Sequence, residues 1–131
     1  MMDETLLGII PDLNWRRGLL KYAHATLVVT NKRLIVALRS KERAKDPSGE
    51  SYRAMGFDAI HAESPGNLEI DLSQIRSFRV ESGQALSADD APHPDRLILK
   101  TEAGKEVFTF GTHSLSAKEA KALLERTLPK G

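Results

Sequence analysis

The sequence predicts a mainly β (α+β) domain, an antiparallel sheet closed by one C-terminal helix. Three observations carry that expectation. Residues 25–38 hold two runs of aliphatic and β-branched residues, Ala25 to Thr30 and Arg33 to Leu38, around a tight turn at Asn31-Lys32; such residues suit a pleated surface. Residues 96–110 make a second hairpin, Arg96 to Thr101 and Lys105 to Phe110, about a turn at Ala103-Gly104. The strands come in a run and are followed by a single helix, whereas a doubly wound nucleotide fold would alternate strand and helix.

Taken in order, Met1 to Pro11 reads as a retained part of the domain, a short helix or strand stopped by Pro11. Its leading acids are the opposite of a secretory signal. In the first hairpin Asn31 is expected to take the positive φ of a two-residue turn. Arg39 to Asp46 is polar and charged, and Pro47-Ser48-Gly49 is a breaker. Residues 50–63 read as a helix, because Tyr52, Met55, Ala59 and Ile60 share one face; Gly56 counts against it. Ser64-Pro65-Gly66-Asn67 is a turn. Leu68 to Leu72 is a short strand with Leu68, Ile70 and Leu72 on one face, interrupted at Ser73-Gln74 before a strand from Ile75 to Glu81. There Phe78 and Val80 face inward and Ser77, Arg79 and Glu81 outward. Residues 82–95, with Pro92 and Pro94, read as a flexible loop. Ser116-Ala117-Lys118-Glu119 matches a capping box, with an apolar stripe at Ala117, Ala120, Leu123, Leu124 and Leu128 ended by Pro129.

The bulk numbers bound the function. A chain of 131 residues fits one domain, 1–131, with a core of its own. The sequence holds no cysteine, which removes disulfides, thiolate nucleophiles and cysteine-based zinc sites. No apolar run approaches the roughly 20 residues that span a bilayer. The overall net charge of +1 conceals a polarity: residues 14–45 carry nine basic side chains against one acid, Glu42, a local +8 that leaves −7 for the rest. Clustered charge of one sign suits an anionic partner, or the acidic remainder folds over it.

Three basic groups stand out. Trp15-Arg16-Arg17 sets an aromatic beside two cations, a pattern for a membrane interface or a phosphate-rich partner, or for a tryptophan tucked under the sheet edge with solvated arginines. Arg39, Lys41, Arg43 and Lys45 alternate, so on an extended segment they share one face. Without interleaved aromatics that stripe argues poorly for nucleic acid, and it equally suits a solvated edge. Lys32-Arg33 sits at the first turn. His24, His61, His93 and His113 show no ligand spacing, and Asp89-Asp90 and His93-Pro94-Asp95 lie in the Pro-rich stretch. No Gly-rich phosphate loop, nucleophile elbow or EF-hand pattern is present. The sequence therefore nominates no catalytic residue, cofactor or metal site.

Leu27-Val28-Val29-Thr30-Asn31-Lys32-Arg33-Leu34-Ile35 resembles the "lTnkRLi" hairpin of bacterial pleckstrin-homology-like and GRAM-like domains. Ile70 to Phe78 resembles their next strand, and Leu97 to Phe108 their second hairpin; the likeness spans roughly residues 18–128. It implies a strongly bent sheet or split barrel plugged by the C-terminal helix, relative to which residues 41–66 or so are an insertion. In lipid-binding members the basic first loop holds head-group phosphates, which implies that reading for Lys32-Arg33; the other reading pairs Arg33 internally, for instance with Asp71. The chain departs from the family at Ala25, where glycine is common, in the long 41–65 connection, and in a terminal helix without tryptophan. The expected function is a non-catalytic interaction module whose partner is itself, as a homo-oligomer, or another protein. The alternative is an anionic membrane surface met through the basic face. The expected location is cytoplasmic, or peripheral at the inner membrane face.

Overall fold

The computed structural model describes residues 4–18, 21–39, 46, 48–81, 95–111 and 114–128. Seven strands form one antiparallel sheet: β1 (Leu6–Gly18), β2 (Lys21–Thr30), β3 (Arg33–Leu38), β4 (Leu68–Asp71), β5 (Ile75–Glu81), β6 (Arg96–Thr101) and β7 (Gly104–Phe110). Their spatial order is β4-β3-β2-β1-β7-β6-β5. Among the described residues two short α-helices, α1 (Phe57–Ala62) and α2 (Ala117–Glu125), accompany the sheet. β4 and β5 are separated in sequence only by the 3-10 turn Leu72–Gln74, yet they terminate opposite ends of the sheet. The sheet must therefore bend round until its two edges come close, leaving an open seam between them.

β1 is longer than expected. It does not stop at Pro11 but runs through it, because a β-bulge absorbs the proline. Ile10 pairs with Leu27 and Leu13 with Ala25, so β1 spends one residue more than β2. Pro11 lies in that irregularity, where its missing N–H costs no regular ladder bond. Asp12 takes up the kink at φ 52°, the one positive φ among the described non-glycine residues. From Leu13 onward β1 also pairs with β7, Leu13 opposite Phe110 and Trp15 opposite Phe108. The bulge thus stands where β1 begins to hold together the two halves of the sheet.

The first hairpin has the expected strands but a different closure. Asn31 has no positive φ. The Thr30 hydroxyl closes the turn, accepting the N–H groups of Lys32 at 3.1 Å and Arg33 at 2.9 Å. Asn31 instead accepts from the Thr5 N–H at 2.7 Å through its side-chain oxygen. A side-chain acceptor thus organises the turn in place of left-handed backbone.

Two apolar clusters lie on opposite faces of the sheet. The inner one gathers Ile10, Leu13, Trp15, Leu27, Leu34, Val36, Leu97, Leu99 and Phe108 under Ala120, Leu123, Leu124 and Leu128. Ser116 and Glu119 cap α2 reciprocally, as the sequence requires. Gly8 admits the helix: a Cβ there would sit 2.6 Å from a Leu123 methyl. The outer cluster joins Ile9, Val28, Ile35 and Ala37 to Tyr52 and Ile60 of the insertion, with Met55 and Phe57 packed against it. The expected single helix over 50–63 is two pieces, a 3-10 turn (Glu50–Ala54) and α1, parted at Met55-Gly56. Ala59 is exposed and not on the buried face. Residues 82–94, expected to loop, lie outside the described residues.

Candidate interaction site

The described basic positions among those singled out in the sequence do not form one surface. They separate to the two ends of β2, whose ten residues span roughly 30 Å at strand rise. Arg16, Arg17 and Lys21 lie at one end, where Arg16 pairs with Tyr22 and Gly18 with Lys21. Arg39 is near that end, its N–H bonded to the His24 carbonyl at 2.9 Å. Lys32 and Arg33 lie at the other. Lys41, Arg43 and Lys45 are outside the described residues.

Arg33 is only 6% exposed and is committed internally. Its guanidinium meets Glu4 at 2.8 Å, Asp58 of α1 at 2.9 Å and Glu69 of β4 at 3.0 Å. These are ion pairs to the sequence-distant N-terminal segment, the insertion and the neighbouring strand. Asp71 is opposite Arg33 in the β3–β4 register, but its side chain is not the partner. Face does not decide it, since Asp71 and Glu69 both share the outer face with Arg33 and Ile35; Asp71 instead caps the Leu72–Gln74 turn in a capping box with Gln74. Glu69 also holds His61 Nδ1 at 3.4 Å. Burial pushes the Glu4 carboxyl up, but hydrogen bonds from Arg33 and Thr30 and the charges of Arg33 and Lys32 outweigh it and hold the group below its ordinary value. The hydrogen bond to Glu4 raises Arg33 in turn, against burial and with help from Asp58 and Glu69. Arg33 is thus a tie between three elements, and its donors face carboxylates of the same chain.

Trp15 is buried at 2% exposure and stacks on Phe108, ring centres 6.1 Å apart. Its indole Nε1 donates to Glu106 at 3.2 Å, and the Arg17 guanidinium lies 4.0 Å over the ring. Arg16 and Lys21 are exposed beside Tyr22, which is 56% exposed. Nearby, a cavity of about 400 Å³ runs between Trp15-Arg16-Arg17 and the Pro65–Leu68 entry to β4. A second, of about 460 Å³, shares Leu68 and Glu106 with it and lies in the seam between β4 and the β6–β7 turn. Sequence reasoning missed Glu106. The signal was present: Glu106, Phe108 and Phe110 alternate along β7, so a carboxylate stands at an inward-facing position.

Among the described residues no three acidic or histidine side chains gather as a metal-ligand set. Among them too, no helix is long and apolar enough to cross a membrane.

No protein-family model matches the sequence, and no curated protein matches it. Solved structures do match in shape. The C-terminal domain of an unknown protein from Leishmania infantum aligns with 96% of this chain and 86% of its own, at TM-score 0.53 and 16% identity. The pleckstrin homology domain of USP37 aligns over 94% of this chain and 95% of its own, at TM-score 0.50 and 15% identity. The hSac2 domain from human phosphoinositide phosphatase Sac2 aligns over 98% of this chain and 74% of its own, at TM-score 0.51 and 11% identity. At such identities the likeness is one of fold. With seven antiparallel strands bent about an open seam and a helix at the C-terminal end, the chain has a pleckstrin-homology-like fold.

Proposed function

We propose that the chain is a non-catalytic interaction and assembly module, related to the bacterial pleckstrin-homology-like and GRAM-like domains, that associates with itself. The observation that supports this is the open sheet. Among the described residues β4 pairs with β3 alone and ends the sheet, so its far edge offers backbone donors and acceptors with no strand partner there, the usual template for strand-to-strand contact. Catalysis has no comparable support: among the described residues no nucleophile, base and orienting group converge in either seam cavity. Size-exclusion chromatography with light scattering tests self-association. A fixed stoichiometry above one, unchanged by reversing charge at Arg39 and Arg43, is expected. A monomer at every concentration would end this reading.

A second reading is favoured by one observation, the exposed group of Arg16, Lys21 and Tyr22 with Arg17 at the end of the β1–β2 hairpin. Cations near an anionic leaflet contribute about 1 kcal/mol each. Under this reading the chain sediments with anionic and not neutral vesicles, and the double variant Arg16→Glu/Lys21→Glu abolishes it. Absence of sedimentation at low salt would eliminate it.

A further inference from the structure

We propose that the seam cavity beside β4 is a docking groove for an extended segment of a partner chain that carries lysine or arginine. This rests on the interaction-module reading and assigns it a surface and a ligand chemistry.

The backbone supplies the first argument. β4 is the edge strand Leu68–Asp71, bonded on one side to β3 and on the other facing a cavity of about 460 Å³. Its sequence, Leu-Glu-Ile-Asp, lacks the proline or lysine that blunts exposed edges elsewhere. Four residues of strand take up roughly 13 Å, room for a partner strand of four or five residues.

The side chains supply the second. Leu68 and Ile70 point to the inner face and form an apolar wall. Across from them stand Gln74, Thr101, Glu102, Ala103 and Glu106, and Glu69 of β4 itself also borders the cavity. Among the described residues no lysine or arginine lines this cavity. Glu102 and Glu106 have no cationic partner among the described residues, in contrast to Glu69, whose carboxylate is held by Arg33 and His61 on the outer face. Glu106 keeps one oxygen on the Trp15 indole. A strand added to β4 would project alternate side chains toward these two carboxylates. Cationic groups complete them there and acidic groups are repelled, so charge complementarity selects a basic occupant. A phosphorylated or anionic occupant would meet the same carboxylates and is disfavoured for the same reason.

The test uses the full chain and synthetic nonapeptides of alternating valine and lysine. Trp15, the single tryptophan, touches Glu106 and reports occupancy through its fluorescence. Three comparisons follow: glutamate in place of every lysine, proline at the central valine, and Glu102→Lys in the protein. Glu102 is exposed in the β6–β7 turn, so that variant spares the core; Glu106→Gln, which keeps an acceptor for Trp15, is the second. The lysine peptide is expected to bind, at least tenfold more weakly to either variant. The glutamate and proline peptides should not bind. Equal binding of the proline peptide, or of either variant, would overturn the assignment, as would absence of binding at physiological salt. If light scattering shows an oligomer while no peptide binds, the seam assignment falls and the module reading stands. If the peptide binds a monomer, self-association falls and the groove stands.

Discussion

The two ends of β2 carry similar charge in sequence and opposite fates in the fold. At the Thr30–Arg33 end Arg33 is buried and tied to three carboxylates, while its neighbour Lys32 is exposed. At the Lys21–Tyr22 end, Arg16, Lys21 and Tyr22 are exposed. A basic residue in a strand is available to a partner only if no acid of its own chain shares its face. Arg33 shares its face with Glu69 and receives Glu4 and Asp58 from distant segments, whereas Arg16 stands opposite Tyr22. Charge counted along the chain therefore overstates the binding surface.

Substitutions would sharpen this contrast. The largest expected effect is at Arg33. Arg33→Leu takes the guanidinium from Glu4 and leaves Glu69 with His61 alone, and should lower stability by about 3 kcal/mol, the scale for breaking a buried ion pair. Denaturant melts check it, and a loss below about 0.5 kcal/mol would make the tie ornamental. Next is Thr30→Val, which keeps the shape of the fully buried side chain and removes the acceptor for two N–H groups. A loss of about 2 kcal/mol is expected from those unsatisfied donors.

Glu4→Gln should cost about 1 kcal/mol near neutral pH, within the range for hydrogen bonds to charged groups. The folded carboxyl lies below its ordinary value of 4.5. Its contribution is therefore full above that value and is lost as pH falls through the folded value. The melting-temperature gap between the wild type and Glu4→Gln should narrow as pH falls below the ordinary carboxylate range and close once Glu4 is protonated in the folded state; a gap that never narrows would assign the effect to packing. The smallest stability effect belongs to the opposite end: Arg16→Glu/Lys21→Glu should stay within about 0.5 kcal/mol of wild type, as exposed sites do. A larger loss would mean that this end too is structurally committed.

Much of the fold was legible because its causes are local. The β6–β7 hairpin, the α2 capping box and the Leu72–Gln74 break follow from alternation, turn residues and a reciprocal cap, all acting within a few positions. One legible signal was left unread. Leu27-Val28-Val29 and Leu34-Ile35-Val36-Ala37 are apolar without alternation, the mark of strands covered on both faces, and the insertion at Tyr52 and Ile60 is what covers the outer one.

The sequence by itself determined where most strands and α2 lie, and that residues 14–45 are strongly basic. Tertiary structure alone decided that β1 passes through Pro11, because the bulge needs a partner strand to define it. It alone chose Glu4, Asp58 and Glu69 for Arg33 and brought Glu106 into one cavity with Leu68 of β4. Each of these depends on residues brought together from distant parts of the chain, and pairing across such distances is set by sheet register, which no local pattern encodes.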